Sequence, residues 1–192
     1  MNERLKLIFN GFLIGLTMFA LAAVNFIGFL LIRNQQQDLQ QIELETQQNL
    51  GLAYQIQINF KIQVQEWKNV LLRGHRKEDF DQYFSQFEER ESATQELCAQ
   101  LLSNSSLGTE ARANIAYFKR RHAALGESYR NALQQQRPTE PESLFRIDRA
   151  VRGIDRPPME ILDSTVAQMI EHTRKIRNAG ERQMQALVRR LT

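Results

Sequence analysis

The sequence predicts an all-α protein in which an N-terminal transmembrane helix continues into an antiparallel up-and-down four-helix bundle. Two observations support this prediction. The stretch 7–32 contains no charged residue, and all four prolines lie between residues 138 and 158. The long proline-free segments are rich in Gln, Glu, Leu, Ala and Arg, which favour helix. We therefore divide the chain into an N-terminal segment 1–6, a span 7–32 and a helical domain 33–192.

The apolar segment 7–32 is long enough to cross a bilayer. As a helix it would extend roughly 39 Å, more than the roughly 30 Å hydrocarbon core. The alternative is a cleaved signal peptide ending near Ala20–Leu21–Ala22, but the apolar run continues well beyond Ala22, which favours an uncleaved anchor. Gly11 and Gly15 form a GxxxG pair that would let two such spans approach closely.

Charge predicts the orientation of the span. Arg4 and Lys6 precede it, whereas after Arg33 the next basic residue is Lys61. The positive-inside rule then places residues 1–6 in the cytoplasm and residues 33–192 outside, as in a single-pass protein of a bacterial inner membrane with its bulk in the periplasm. With one cysteine, Cys98, the chain forms no internal disulfide, so the fold depends on packing.

The first helix after the span, residues 33–72, has two apolar sides. Taken alone, Tyr54–Val64 alternates apolar and polar residues as a strand would, but its flanks are helical and no second strand is available to pair with it. One side of the helix forms a core stripe: Ala53, Ile56, Phe60, Val64, Trp67 and Leu71. Tyr54, Ile58 and Ile62 lie roughly opposite and predict a homodimer interface.

Three further long helices follow a break at Gly74, a residue that suits a helix C-terminus. We expect them at residues 77–102, 110–136 and 158 to the end, with a short helical piece at 143–151. Up-and-down connections would place residues 73–78 and 137–157 together at the membrane-distal end. The stripes of the long helices are Phe80, Tyr83, Phe84, Phe87, Thr94, Leu97, Cys98, Leu101; Ala111, Ile115, Phe118, His122, Leu125, Tyr129, Ala132; and Ile161, Leu162, Val166, Met169, Thr173, Ile176, Met184, Leu187, Leu191.

The sequence contains no pattern that predicts catalysis. A phosphate-binding Gly-rich loop, a nucleophile elbow and helical His-Glu metal spacing are all missing from it. The three histidines are scattered, and His122 fits a satisfied core histidine better than a metal ligand. The formal net charge of +3 is a narrow excess. We therefore expect no enzyme, no cofactor, no metal and no nucleic-acid partner.

Cations cluster at the expected distal end of the domain. The Arg146–Arg156 set recurs at three- and four-residue spacing, so its members share one helical face, and guanidinium groups suit carboxylate recognition. The hypothesis is a site for a small anionic ligand that uses Arg73, Arg149, Arg152 and Arg156. The favoured alternative is a solvated surface neutralised by interspersed acids. The remaining cations of the cluster are His75, Arg76, Lys77 and Arg146, and the acids are Glu78, Asp79, Glu140, Glu142, Asp148 and Asp155.

Three segments resemble the periplasmic sensor regions of bacterial methyl-accepting chemotaxis proteins. They are FKIQVQEWKNVLLRG at 60–74, the aromatic residues Tyr83, Phe84 and Phe87, and VRGIDRPP at 151–158. The resemblance covers the N-terminal anchor and essentially the whole domain after it. It implies a homodimeric four-helix ligand-binding domain whose first helix lines the dimer interface.

The chain departs from such receptors at its C-terminus. They have a second span, a HAMP linker and a methylated cytoplasmic coiled coil, whereas this chain stops at Arg189–Arg190–Leu191–Thr192. Two functions are therefore open. One is the ligand-sensing module of a chemoreceptor-like signal transducer that lacks its cytoplasmic signalling part. The other is a single-span structural or adaptor protein whose bundle docks onto another protein or complex of the envelope.

Overall fold

The computed structural model describes residues 3–135 and 141–191, and every element within them is an α-helix. This confirms the predicted all-α class, with the short piece at 143–151 present as a separate helix that begins two residues earlier. The five helices are α1 (Glu3–Arg73), α2 (Lys77–Ser103), α3 (Thr109–Gln135), α4 (Pro141–Val151) and α5 (Arg156–Leu191).

The chain divides into two compact units, Met1–Ile42 and Glu43–Thr192. In the first unit α1 carries the apolar segment. Two of its polar side chains are satisfied within the helix, because Thr17 Oγ1 donates to the Ile14 carbonyl and Asn25 Nδ2 to the Leu21 carbonyl, each at 2.8 Å. Polar groups satisfied in this way are compatible with hydrocarbon. Of the residues described, α1 alone is long and apolar enough to span a membrane, by length and composition.

In the second unit, hereafter the helical unit, contacts fix the directions of the helices. Near the start of this part of α1, Asn49 Nδ2 donates to Ser106 Oγ after the end of α2 (3.1 Å). Near the end of α1, Trp67 contacts Phe87 in the first half of α2 and stacks on Tyr129 in the last half of α3, with ring centroids 5.9 and 4.2 Å apart. Helix α2 is therefore antiparallel to α1, and α3 is parallel to α1.

The core consists of the apolar stripes that the sequence predicts. On α1 the stripe from Ala53 to Trp67 is buried, and Leu71 packs against it. Two additional α1 residues, Gln63 and Val70, are fully buried. On α5, Leu162, Val166 and Met169 are buried and Ile161 is half-buried, whereas Met184 is 44% exposed. The buried members from α2, α3 and α4 are Phe87, Thr94, Cys98, Leu101; Ile115, Phe118, His122, Leu125, Tyr129, Ala132; and Ile147, Val151.

Two glycines shape the turns near Trp67. Helix α1 ends at Arg73 as predicted, but Gly74 has no left-handed conformation. It is needed because a Cβ there would collide with the Val70 carbonyl oxygen, which accepts the Gly74 N–H at 2.9 Å. Between α4 and α5, Gly153 takes the left-handed conformation, with φ of 79°, that other residues rarely adopt. We call the end of the helical unit that contains these turns the Gly74 end, and the opposite end the Gly108 end.

Candidate ligand-binding site

The Gly74 end carries the predicted cation cluster. Arg73, the last residue of α1, is exposed, and its Nη1 donates to the Tyr83 hydroxyl at 2.9 Å. Its guanidinium carbon also lies 5.7 Å from the centre of the Tyr83 ring. The hydrogen bond to Tyr83 raises the pKa of Arg73, and the same bond holds the cationic group against α2.

Four cations of the cluster are neutralised locally by acids three or four residues away along the chain. These pairs fit the alternative of a solvated, internally balanced surface, and exposed pairs of this kind contribute little to stability. They are Arg76–Asp79 (3.7 Å), Lys77–Asp81, Arg146–Glu142 (3.9 Å) and Arg152–Asp148, in which Arg152 Nε donates at 3.0 Å.

Besides Arg73, which bonds to the neutral Tyr83 hydroxyl, three cations near this end have no ion-pair partner among the residues that the structure describes: Arg149, Arg156 and Lys68. Arg149 lies exposed on α4. Arg156 begins α5, and Lys68 lies on the last part of α1. Unpaired cations are the groups that remain available for an anion.

Lys68 and Arg156 line the same cavity, which has a volume of about 220 Å³. Arg152 is on its wall, together with Asp148 and Asp155, whereas Arg73 and Arg149 are not. The structure therefore brings together two of the four predicted ligand-binding arginines. The apolar lining of this cavity comes from α1, α3 and α4: Val64, Trp67, Leu71, Tyr129 and Val151.

Tyr129 supplies a polar group to this cavity. Burial raises the pKa of its hydroxyl, and the nearby Asp155 carboxylate raises it further, so the hydroxyl keeps its proton. It can therefore act as a hydrogen-bond donor. Its ring is held in place by the stack on Trp67, which fixes where the hydroxyl lies.

A second, larger concavity of about 480 Å³ adjoins this cavity and shares Lys68, Leu71 and Asp148 with it. Its other lining residues are Leu72, Leu144 and Phe145, so most of the wall is apolar. We call it the α1–α4 groove. The sequence analysis did not include Lys68 among the site residues. The available signal was its spacing of four residues from Leu72, which places both side chains on one face of α1.

The residues predicted to form a dimer interface lie in both units. On the helical unit, Tyr54 and Ile58 are 40% and 54% exposed, and Ile62 is half-buried. In the first unit, Gly11 and Gly15 are exposed and a Cβ at either would meet open space. The homodimer interface at these residues stays a prediction.

A polar layer of three side chains crosses the interior of the helical unit. His122 is completely buried, and its Nε2 donates to Gln63 Oε1 at 2.5 Å while its Nδ1 accepts from Gln95 Nε2 at 2.6 Å. Gln95 Nε2 also donates to the Lys119 carbonyl (3.0 Å). Burial lowers the pKa of His122 to about 4, so the ring is neutral near pH 7. The prediction of a satisfied core histidine is confirmed.

The Gly108 end contains a further cavity of about 240 Å³, but four of its polar lining residues already bond to one another. Asn49 Nδ2 donates to Ser106 Oγ (3.1 Å), and Gln168 Nε2 donates to Glu110 Oε1 (3.1 Å). Arg112 donates to the carbonyls of Leu102 and Asn104, which caps the end of α2. The more promising ligand site is therefore at the Gly74 end.

These features define a class: an all-helical domain that follows an N-terminal apolar helix and has an open cavity with unpaired cations at one end. Comparison with known proteins agrees with this class. The chain is 38% identical over 112 residues to the methyl-accepting chemotaxis protein CtpH of Pseudomonas aeruginosa. The resemblance drawn from the sequence is thereby confirmed. The match covers 58% of this chain but only 18% of that protein. No family model and no solved structure matches the chain.

Proposed function

We propose that the protein is the membrane-anchored, periplasmic ligand-sensing module of a chemoreceptor-like signal transducer, with no enzymatic activity of its own. Residues 7–32 would span the inner membrane, and residues 33–192 would form an antiparallel four-helix-bundle sensor domain. The observation that carries the proposal is the 38% identity to a methyl-accepting chemotaxis protein. The internal bonding of Thr17 and Asn25 also supports a helix that lies in lipid.

The structure supports a small anionic ligand at the Gly74 end. Lys68 and Arg156 are cationic, lack an ion-pair partner in the described part of the chain, and line one cavity. Arg152 lines the same cavity, but its guanidinium already bonds to the Asp148 carboxylate. An anion that bound Arg152 would therefore compete with Asp148. Arg149 is nearby in sequence and exposed, and Arg73 is held by Tyr83. We therefore place Arg156 at the centre of the site, with Arg149 and Arg73 at its margin.

Binding in this cavity would act on the packing of α5 against α1. The cavity is lined by Lys68 of α1 and by Arg156 at the start of α5, so one anion would contact both helices. A ligand shifts a conformational equilibrium only by its differential affinity for the two states. A small displacement of α5 along α1 is such a change, and a membrane span is able to carry it to the cytoplasmic side.

The proposed functional unit is a homodimer along α1. Ile58 and Tyr54 expose apolar surface on the side of α1 that does not face the core of the helical unit. Exposed apolar patches mark interaction surfaces in soluble domains. A second copy placed here would cover both residues.

Calorimetric titration of the full chain in lipid nanodiscs with a panel of organic acids and amino acids tests the sensor function. We expect at least one anion to bind, and Arg156→Ala to weaken its affinity about tenfold or more, since a charge-assisted hydrogen bond contributes roughly 1.5–3 kcal/mol. Arg76→Ala is the matched control, because that guanidinium is paired with Asp79. If no compound binds, the sensor proposal fails and an adaptor that docks onto an envelope complex becomes the better explanation.

A further inference from the structure

We infer that the ligand of this domain is an organic monocarboxylate with an apolar body, bound in the α1–α4 groove with its carboxylate on Lys68. The inference rests on the proposed sensor function and names its ligand class. It follows from three features of the groove: its apolar wall, its size, and the position of its one unpaired charge.

The wall of the groove exposes large apolar side chains that a folded domain normally covers. Leu72 and Phe145 are each 74% exposed, although they lie on two different helices and line one concavity. Leu71 and Leu144 complete the apolar wall and are themselves packed against the core. Apolar surface gathered in a concavity, and not scattered singly, is the usual form of a ligand site.

The volume of the groove is that of a small-molecule site. At about 480 Å³ it lies in the range of small-molecule pockets, which is roughly 300–1,000 Å³. A single ring with a short chain would occupy it. A simple inorganic anion would leave the apolar wall uncovered and would gain nothing from Leu72 and Phe145.

The polar groups of the groove determine where a charged head would bind. Asp148 is neutralised by Arg152 of the same turn, so its carboxylate does not oppose an anion. Lys68 has no ion-pair partner in the described part of the chain and lies where the groove meets the smaller cavity. Arg156 lines that cavity and adds positive potential on the same side. A ligand with one carboxylate at the junction and an apolar body toward Phe145 matches this distribution.

Phenylacetate is the probe that tests the inference, with acetate and phenylacetamide as matched controls. Acetate has the charge without the body, and phenylacetamide has the body without the charge. Titrations use the full chain in nanodiscs, with the heat of empty nanodiscs subtracted. We expect phenylacetate to bind at least about tenfold more tightly than either control, because both a buried ring and a charge-assisted contact contribute.

Two variants locate the site. Lys68→Gln and Phe145→Ala should each weaken phenylacetate about fivefold or more, and both positions are exposed enough for the fold to tolerate the change. Lys77→Gln is the control for charge, because that lysine is exposed at the same end but paired with Asp81. Phenylacetate that binds equally well to both site variants would overturn the inference.

The remaining outcomes separate the ligand class from the sensor function. If another anion of the panel binds and phenylacetate does not, the class named here is wrong and the sensor proposal stands. If no anion binds, both fail. If a cysteine at Phe145 crosslinks to a second copy in membranes, the groove is covered by protein, and the inference is overturned in favour of an interface.

Discussion

The Nε2 of His122 donates a hydrogen bond of 2.5 Å to the Oε1 of Gln63, and both side chains are completely buried. The rings of Phe60 and Phe118 lie 5.3 and 5.5 Å from the imidazole, so its surroundings are largely apolar. The amide nitrogen of Gln63 is not satisfied in the same way. Gln63 Nε2 is buried and has no hydrogen-bond partner in the described part of the chain. A neutral histidine and an incompletely satisfied amide therefore connect α1 with α3.

The first prediction concerns stability against acid. In the unfolded chain a histidine titrates near pH 6.5, whereas burial lowers the pKa of His122 to about 4 in the fold. Between these values the unfolded state binds a proton that the folded state excludes. The stability that comes from keeping His122 neutral is therefore fully present above about pH 6.5, and this contribution is lost as the pH falls toward 4.

Chemical denaturation of the wild type and His122→Gln at pH 7.5 and 4.5 measures this effect. We expect the wild type to lose about 2 kcal/mol more than the variant over this interval. His172 is exposed on α5, so His172→Gln should lose as much stability over this interval as the wild type does. This variant controls for the loss of a histidine elsewhere in the fold. Equal losses for the wild type and His122→Gln would contradict the assignment.

The second prediction concerns the coupling of Gln63 and His122. Gln63→Leu leaves the His122 Nε2–H without an acceptor, and His122→Phe leaves the whole Gln63 amide unpaired. Each should cost about 1–3 kcal/mol in free energy of unfolding. The double variant replaces both partners with apolar groups and should cost at least about 1 kcal/mol less than the sum. Additive single effects in urea denaturation would show that the two side chains do not interact.

The third prediction concerns the close approach of α2 and α3 at Gly126. Arg130 Nη1 lies 2.5 Å from Glu91 Oε2, and a Cβ on Gly126 would overlap the Glu91 carboxylate. Gly126→Ala should displace Glu91 from Arg130, and the loss of this partly buried ion pair should offset the helical preference of alanine, so that the variant is no more stable than the wild type. At Gly51 of α1 a Cβ meets open space. Gly51→Ala should therefore stabilise by about 0.5–1 kcal/mol, since alanine favours helix. Thermal denaturation that ranks the two variants in the reverse order would contradict this packing.

The fourth prediction concerns the apolar outer side of α1. Ile58 is 54% exposed, and the proposed dimer would bring the two copies of it together. A cysteine at Ile58 in a Cys98→Ser background should form a crosslinked dimer in membranes under mild oxidation. Cys98 itself is buried, and burial raises the pKa of its thiol to about 12, so the Cys98→Ser background removes a thiol that already reacts slowly. A cysteine at Tyr117, an exposed position on α3, is the control. Equal crosslinking at both positions, or none at Ile58, would count against a dimer along α1.

Most of the helical layout was predictable, because the core residues recur with the period of a helix. The stripe from Ala53 to Trp67 is buried as its spacing indicates, and so is the stripe of α3 that contains His122. Gln63 was overlooked although it lies three residues after Phe60 and four before Trp67. A polar residue at a core spacing was therefore the available signal for the buried polar layer.

The candidate site was less predictable than the fold. The spacing of Arg146 to Arg156 predicts one shared helical face, and this prediction is wrong, because α4 ends at Val151 and Arg156 begins α5. Spacing also does not indicate whether an acid one turn away neutralises an arginine. Arg152 is paired with Asp148, whereas Arg156 remains unpaired in the described part of the chain. The α1–α4 groove depends on where the turn at Gly153 and the short helix α4 place Phe145 beside Leu72. Such a contact between distant segments is not encoded in the spacing of either one.

The proposed sensor function requires the helical unit to lie outside the cytoplasm. Alkaline phosphatase, which becomes active only after export, and green fluorescent protein, which fluoresces when folded in the cytoplasm, can each be fused after Thr192. We predict high phosphatase activity and no fluorescence, because the proposed span at 7–32 should place the residues after it in the periplasm. An inactive phosphatase together with a fluorescent fusion would place the domain in the cytoplasm and contradict the proposed function.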